Sequence, residues 1–315
     1  MAITVVGSIA FDAVKTPFGE RERMLGGAAV HFALAASFFD EVRVVGPVGD
    51  DFGEGELAVL RARGIDVSDI EHVAGGETFF WQGEYGWDLN TRETLQTKLG
   101  VFEHFEPKLS DAARASELLF LANIQPDVQR AVREQCAGAK FAALDSMNLW
   151  IEIARDSLVS TIAGVDCLVL NDAELRQLTE KPNLITAARE ILAWGPPGPT
   201  AIIGKQGEYG SALITADDFF SLPAYPLENV VDPTGAGDTF AGGFVGYLAA
   251  TAAEGAPSGE RLRQAMAYGT ALASFNVEEF GTERVARLTP AEINERLGAL
   301  AKITHFSDAP IELRS

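Results

Sequence analysis

Short apolar runs alternate with amphipathic stretches along most of this chain. Residues 3–7 are β-branched and end in glycine, which predicts a first strand. Residues 28–39 are Ala-rich and predict a helix, 42–45 a second buried strand, and 52–63 a helix with Gly64 as its stop. After residue 105 the same rhythm predicts strands at 118–122, 141–144, 167–170 and 201–203, with helices at 127–135, 151–161, 172–178 and 186–192 between them. Strand–helix alternation of this kind describes a mostly parallel sheet covered by helices. Residues 212–214 and 219–222 read as antiparallel additions, and two long helices at 238–250 and 260–275 close the fold.

The rhythm breaks between about Gly75 and Phe105. Thr78, Phe79, Phe80, Trp81, Tyr85 and Trp87 form a β-rich aromatic ribbon, followed by the polar stretch 88–98. Such a ribbon is either a structural arm, a cover over a site or a pairing edge for a second copy. The chain shows neither an internal repeat nor a low-complexity linker. The expectation is a single α/β domain over 1–315, with lid segments at about 12–25 and 75–105.

Composition narrows the function. The 315 residues carry 25 basic and 45 acidic side chains, a formal net charge of −20, and this disfavours nucleic-acid and membrane-surface partners. Hydrophobic residues make up 47% and charged residues 22%, ordinary globular usage. The two cysteines, Cys136 and Cys167, lie in apolar stretches and read as buried reduced thiols. The N-terminal segment lacks the basic start of a signal peptide, and no apolar run approaches the ~20 residues of a membrane span. The expectation is a soluble cytoplasmic protein.

In an open α/β sheet ligands bind beyond the carboxyl ends of the strands, where this chain places Asp12, Asn123, Asp145, Asn171 and residues 231–240. The segment VDPTGAGDTFAGGF is the most informative. Gly235, Ala236 and Gly237 carry little side-chain bulk just before an apolar helix, so their amides form an anion hole suited to phosphate. Asp238 is placed to take a proton from a hydroxyl that attacks phosphorus. A second carboxylate, Asp232, lies six residues earlier.

At these residues the chain resembles the ribokinase/PfkB family of carbohydrate and nucleoside kinases, and the resemblance runs over nearly the whole length. GSIAFD, ending in Asp12, resembles the family's first strand; Gly26-Gly27 with AAVHFALAAS resembles its substrate loop and following helix; VGPVGDDFG resembles its second glycine block. Asn171-Asp172-Ala173-Glu174 is similar to its Asn-x-x-Glu motif, Lys205 to Gly210 to its nucleotide-side glycine loop, and DPTGAGD to its C-terminal signature. The resemblance implies a ribokinase-like three-layer α/β/α fold with a small β lid. It implies ATP and Mg²⁺, with Asp238 as base and the amides of Gly235, Ala236 and Gly237 stabilising the transferred phosphoryl group. Asn171 and Glu174 act on Mg²⁺ through water. Lys205, Gly207 and Gly210 lie on the nucleotide side, and Asn276 falls near the adenine pocket or a monovalent-ion loop. Asp232 and Thr234 hold K⁺ in several members.

Asp12, Gly26, Gly27, His31 and Asn123 are the implied acceptor residues. Sugar-specific members commonly have Asn where this chain has His31, and often an acidic residue where it has Asn123. His31 either donates to a hydroxyl, stacks under a ring or packs as a satisfied helix-face histidine. The activity implied is transfer of the ATP γ-phosphoryl group to a hydroxyl, a primary one, of a sugar, sugar derivative or polyol. A nucleoside acceptor is the alternative, and a catalytically silent sugar-sensing or scaffold protein a further one. The lid edge implies a homodimer.

Overall fold

Near-continuous apolar runs are the mark of strands buried on two sides, and they organise the larger of two sheets. The computed structural model describes residues 1–252 and 255–305. Its strands are β1 (Ile3–Val6), β2 (Ala10–Thr16), β3 (Gly19–Gly26), β4 (Val42–Val48), β5 (Ile70–His72), β6 (Phe79–Tyr85) and β7 (Arg92–Lys98). They continue with β8 (Leu118–Leu121), β9 (Phe141–Leu144), β10 (Cys167–Asn171), β11 (Ala201–Lys205), β12 (Ser211–Thr215) and β13 (Phe219–Leu222).

The larger sheet runs β13-β12-β11-β10-β9-β8-β1-β4-β5. Every pairing from β11 to β5 is parallel, and β12 and β13 are the expected antiparallel additions. Leu118 and Phe120 face one core with Ile3, Val5 and Val44, beneath the helices Ala28–Ala36, Ala236–Ala250 and Gly259–Asn276. Phe120 stacks on Phe32 at 4.3 Å between ring centroids. Leu119 and Leu121 face the opposite core with Leu144, Leu168 and Ile202, beneath Pro126–Gln135, Arg155–Ile162, Asp172–Thr179 and Leu184–Leu192. The result is a layer of helices on each side of the sheet.

β1 leads into β2 across only three residues, and there the chain leaves the large sheet for a small one ordered β3-β2-β6-β7. β2 pairs antiparallel with β3 and parallel with β6, and β6 pairs antiparallel with β7. The aromatic ribbon is therefore β6. All seven residues of the edge strand β7 are exposed.

Three element boundaries differ from expectation. The helix expected over 151–161 is two, Asn148–Ile153 and Arg155–Ile162, because Ala154 breaks helical geometry at φ −142°, ψ 33°. The first long helix stops at Ala36. The helix at 260–275 does not close the fold. It is followed by Glu283–Ala286 and by the 15-residue helix Pro290–Thr304, which opens on a reciprocal Thr289–Glu292 capping box. Among the described residues no helix is long and apolar enough to cross a membrane.

Candidate active site

Parallel strands bring their carboxyl ends to one side of the sheet. There Asn123 follows β8, Asp145 follows β9, Asn171 ends β10 and Lys205 ends β11, the last two as direct cross-strand neighbours. Gln129, fully buried, holds two of these strand ends in place. Its Nε2 donates to the carbonyls of Leu121 (3.2 Å), Ala122 (2.8 Å) and Asp145 (2.8 Å).

Facing these ends is the turn before the helix Ala236–Ala250. Gly235 caps that helix at φ 75°, ψ 0°, a left-handed conformation open to glycine. Asp238 lies in the first helical turn. Lys205 reaches under the turn: a methyl group on Gly237 would come within 2.9 Å of its Nζ. The same Nζ donates to Asp145 Oδ2 at 2.9 Å, with the two side chains 17% and 7% exposed. Lys205 is therefore a half-buried, ion-paired lysine beneath the turn and not a solvated surface one.

The charges here are interdependent. Burial raises the Asp238 carboxyl above the usual carboxylate range; Asp145 and Glu174 push it further, and Lys205 pulls it back. Glu174 is raised in the same way, first by burial and then by Asp145. Burial works against the charge on Lys205, but Asp145, Glu174 and Asp238 outweigh it and hold its pKa above the ordinary lysine value. One half-buried ammonium thus faces three carboxylates.

Asn171 and Glu174 satisfy each other. Asn171 Oδ1 accepts from the Glu174 amide at 2.8 Å, and Glu174 Oε2 accepts from the Asn171 amide at 2.9 Å. The Asn-x-x-Glu pattern is here a capping box that fixes the strand-to-helix corner. Among the described residues no three His, Cys, Asp or Glu side chains converge as a direct metal site.

Asp12 projects from β2 against the glycine pair. A methyl on Gly26 would fall 1.9 Å from Asp12 Oδ2, so only glycine admits the carboxylate there. Burial and then the Asp232 charge push Asp12 up to about 7, against a Gly27 amide that stabilises the anion. Asp232, fully buried, accepts from the amides of Thr234 (2.9 Å) and Gly281 (3.0 Å), and burial raises its pKa. Thr234 Oγ1 donates to the Tyr85 hydroxyl at 3.2 Å, tying β6 to the turn.

The remaining expected residues make contacts of their own. His31 is 2% exposed; its Nδ1 lies 3.0 Å from Asn276 Oδ1, and its ring lies against Gly235. Asn276, fully buried, spends its amide on His31, on the Thr239 hydroxyl (3.0 Å) and on the Thr234 carbonyl (2.7 Å). Asn123 accepts from Trp150 Nε1 and donates to Met147 Sδ, each at 3.1 Å. Gly207 and Gly210 flank a short turn between β11 and β12. Asn90, between β6 and β7, donates to Glu208 in that turn at 2.9 Å.

Residues 2–287 match the pfkB family of carbohydrate kinases. The chain belongs to that family. Members of the pfkB family are phosphotransferases that act on a hydroxyl acceptor. A cytidine kinase of Thermococcus kodakarensis is 28% identical over 253 residues, covering 78% of this chain and 88% of that protein. A nucleoside kinase of Methanothermobacter thermautotrophicus is 27% identical over 302 residues, covering 89% and 91%. The structure of a ribokinase from Giardia lamblia superposes with a TM-score of 0.79 at 19% identity, covering 96% of this chain and 99% of that one, which shows the ribokinase-like three-layer fold. Sequence alone placed Asp145 at a strand end and Tyr85 in the aromatic ribbon without a specific role for either, and it passed over Gln129. For Asp145, its partner Lys205 was the missing signal. Nothing in the sequence pairs Gln129 or Tyr85 with the groups they hold.

Proposed function

We propose that this pfkB kinase transfers the γ-phosphoryl group of ATP to the primary hydroxyl of a nucleoside. The observation that carries the acceptor class is an aromatic shelf beside Asp12. Asp12 is the cross-strand partner of Trp81, so both side chains leave the same face of the small sheet. The six-membered ring of Trp81 lies against Gly83, where a methyl would fall 2.2 Å from it, and Tyr85, two residues on, continues that face. A flat aromatic surface next to a hydroxyl-reading carboxylate suits a base attached to a sugar. A free sugar or polyol is the second reading, favoured by Asp12 against Gly26, which reads hydroxyls with or without a base.

In this reading Asp238 accepts the hydroxyl proton as that oxygen bonds to the γ-phosphorus and the bond to ADP breaks. The amides of Gly235, Ala236 and Gly237 meet the charge on the equatorial oxygens, and Lys205 faces the same group. Asp12 orients the acceptor. Asn171 and Glu174 fit Mg²⁺ held through water, since Glu174 keeps one oxygen without a protein donor among the described residues; the ion supplies charge neutralisation on the phosphates. The buried carboxylate of Asp232, beside Thr234, fits a monovalent cation such as K⁺. Residues 12–25 and 75–105 act as a lid on one domain, the exposed strand β7 is the pairing edge of a homodimer, and two buried free thiols suit the cytoplasm.

The test is an ADP-release screen across nucleosides, pentoses, hexoses, polyols and sugar acids. Turnover on nucleosides is expected. Turnover on sugars alone removes the nucleoside assignment, and ADP release with none of them removes the kinase reading.

A further inference from the structure

We propose that His31 is a positioning residue that sets the height of the anion-binding turn and does not read the acceptor. This rests on the role given above to Asp238 and the turn amides. The first observation is contact. A methyl on Gly235 would sit 2.3, 2.3 and 2.4 Å from Cε1, Nδ1 and Nε2 of His31, so the glycine rests face-on upon the imidazole. The second is a hydrogen-bonded junction. Asn276 Oδ1 accepts from His31 Nδ1 and from Thr239 Oγ1, while its Nδ2 donates to the Thr234 carbonyl on the turn itself. Three helices, Ala28–Ala36, Ala236–Ala250 and Gly259–Asn276, meet at that one amide.

The third observation concerns what the ring does not do. An amide oxygen only accepts, so the ring proton is on Nδ1. Nε2 is then a bare acceptor, buried and without a hydrogen-bond partner among the described residues. Burial also holds the imidazole neutral, at a pKa of about 4. Neither nitrogen is offered to a hydroxyl in the acceptor space. A buried nitrogen without a partner is a cost, and it is tolerated here because an apolar ring of the same size would leave Asn276 Oδ1 one donor short.

Donors to a developing anion act within a few tenths of an ångström. Removing the floor beneath Gly235 displaces three of them without touching either substrate. His31→Ala is therefore expected to lower kcat ~10–100-fold, below the ~10²–10³ of deleting such a donor outright, with both KM values within threefold of wild type. His31→Asn returns a donor at the Nδ1 position and is expected to recover at least fivefold of that loss. Thermal melts on the same preparations fix an assay temperature at which every variant is folded. Should the alanine variant not fold, the asparagine variant is compared directly with wild type. A raised acceptor KM at unchanged kcat, or no kinetic change at all, overturns the proposal.

A readout independent of turnover separates this inference from the kinase reading. In a long-range ¹H–¹⁵N spectrum of the wild type, the His31 signal, assigned by its absence from the His31→Asn spectrum, should show the proton on Nδ1. A proton on Nε2 overturns the proposal whatever the protein does with ATP. A wild type inactive on every acceptor, with the Nδ1 tautomer observed, overturns the kinase reading and leaves the brace standing.

Discussion

Gly235 and Gly237 stand two residues apart in one motif, yet their replacement by alanine should have opposite consequences. At Gly235 the φ of 75° puts an L-residue in the left-handed region, at ~1–2 kcal/mol. The added methyl would also lie 2.3 Å from a buried, hydrogen-bonded ring, and overpacking of that kind costs ~1–3 kcal/mol. Together they give ~2–5 kcal/mol. Unfolding entropy of ~2.1 cal/mol/K per residue over 315 residues is ~0.66 kcal/mol/K, so Gly235→Ala should lower Tm by about 3–8 °C. Gly237 lies inside the helix, where alanine gains up to ~0.5–1 kcal/mol. The methyl there meets only Lys205 Nζ, the end of a flexible chain, at 2.9 Å. Gly237→Ala should melt within about 2 °C of wild type and still lose turnover, because Lys205 is pushed from its place. Scanning calorimetry and steady-state kinetics on the two variants decide it. Equal melting losses at the two positions would refute the turn geometry, as would a Gly235→Ala variant as stable as wild type.

Further expectations follow from the charge arrangement and its supports. Asp238→Asn should keep the fold and nucleotide binding but lower kcat ~10²–10⁴-fold, the scale of a lost general base; near-normal turnover removes Asp238 from the mechanism. Because the Asp238 pKa is raised, kcat/KM should fall as pH drops through it. Asp145→Asn removes a charge that raises it and releases Lys205, so the acid limb should move to lower pH; a limb that stays or rises contradicts the coupling. Asp12, raised from 3.8 to about 7, contributes stability below its unfolded value that is lost as pH rises through 7. Asp12→Asn should therefore stabilise the ligand-free protein at pH 8, by at most ~4 kcal/mol, and hardly at pH 4; equal effects at both values would show that the carboxyl is not buried as described. Gln129→Leu removes a donor from the Ala122 and Asp145 carbonyls, while Leu121 keeps the Asp145 amide, and should cost roughly 1–3 kcal/mol in a urea titration; an unchanged midpoint would show the carbonyls are satisfied otherwise.

The interior strands of the central sheet were legible because they are apolar on both faces and the crossovers between them carry a helical period. The short edge strand β5, IEH, exposes two of its three residues and gave no signal. The small sheet was not legible. GERERMLG of β3 and RETLQTK of β7 are polar strands whose pairing is set by β2 and β6, and a solvated strand has no apolar alternation to read. The last helix carried its own signal, Thr289-Pro290 with Glu292, and a capping box at that position is sufficient warrant for a helix. At the site, the phosphate turn was readable because its chemistry is local: small residues, then a carboxylate, at a helix start. The contacts of His31, Asn276 and Lys205 were not, because each is fixed by a partner at least 37 residues away.

The two native thiols give this protein a practical property. Cys136 and Cys167 are 1% and 0% exposed, and burial pushes both well above the usual thiol value. Maleimides need an accessible thiolate, so the native chain is silent to them at neutral pH. Trp87, 85% exposed, stands between β6 and β7 beside the segment whose Asn90 holds Glu208. A single fluorophore attached through Trp87→Cys, on an otherwise unaltered background, would therefore report the surroundings of that contact and nothing else in the chain.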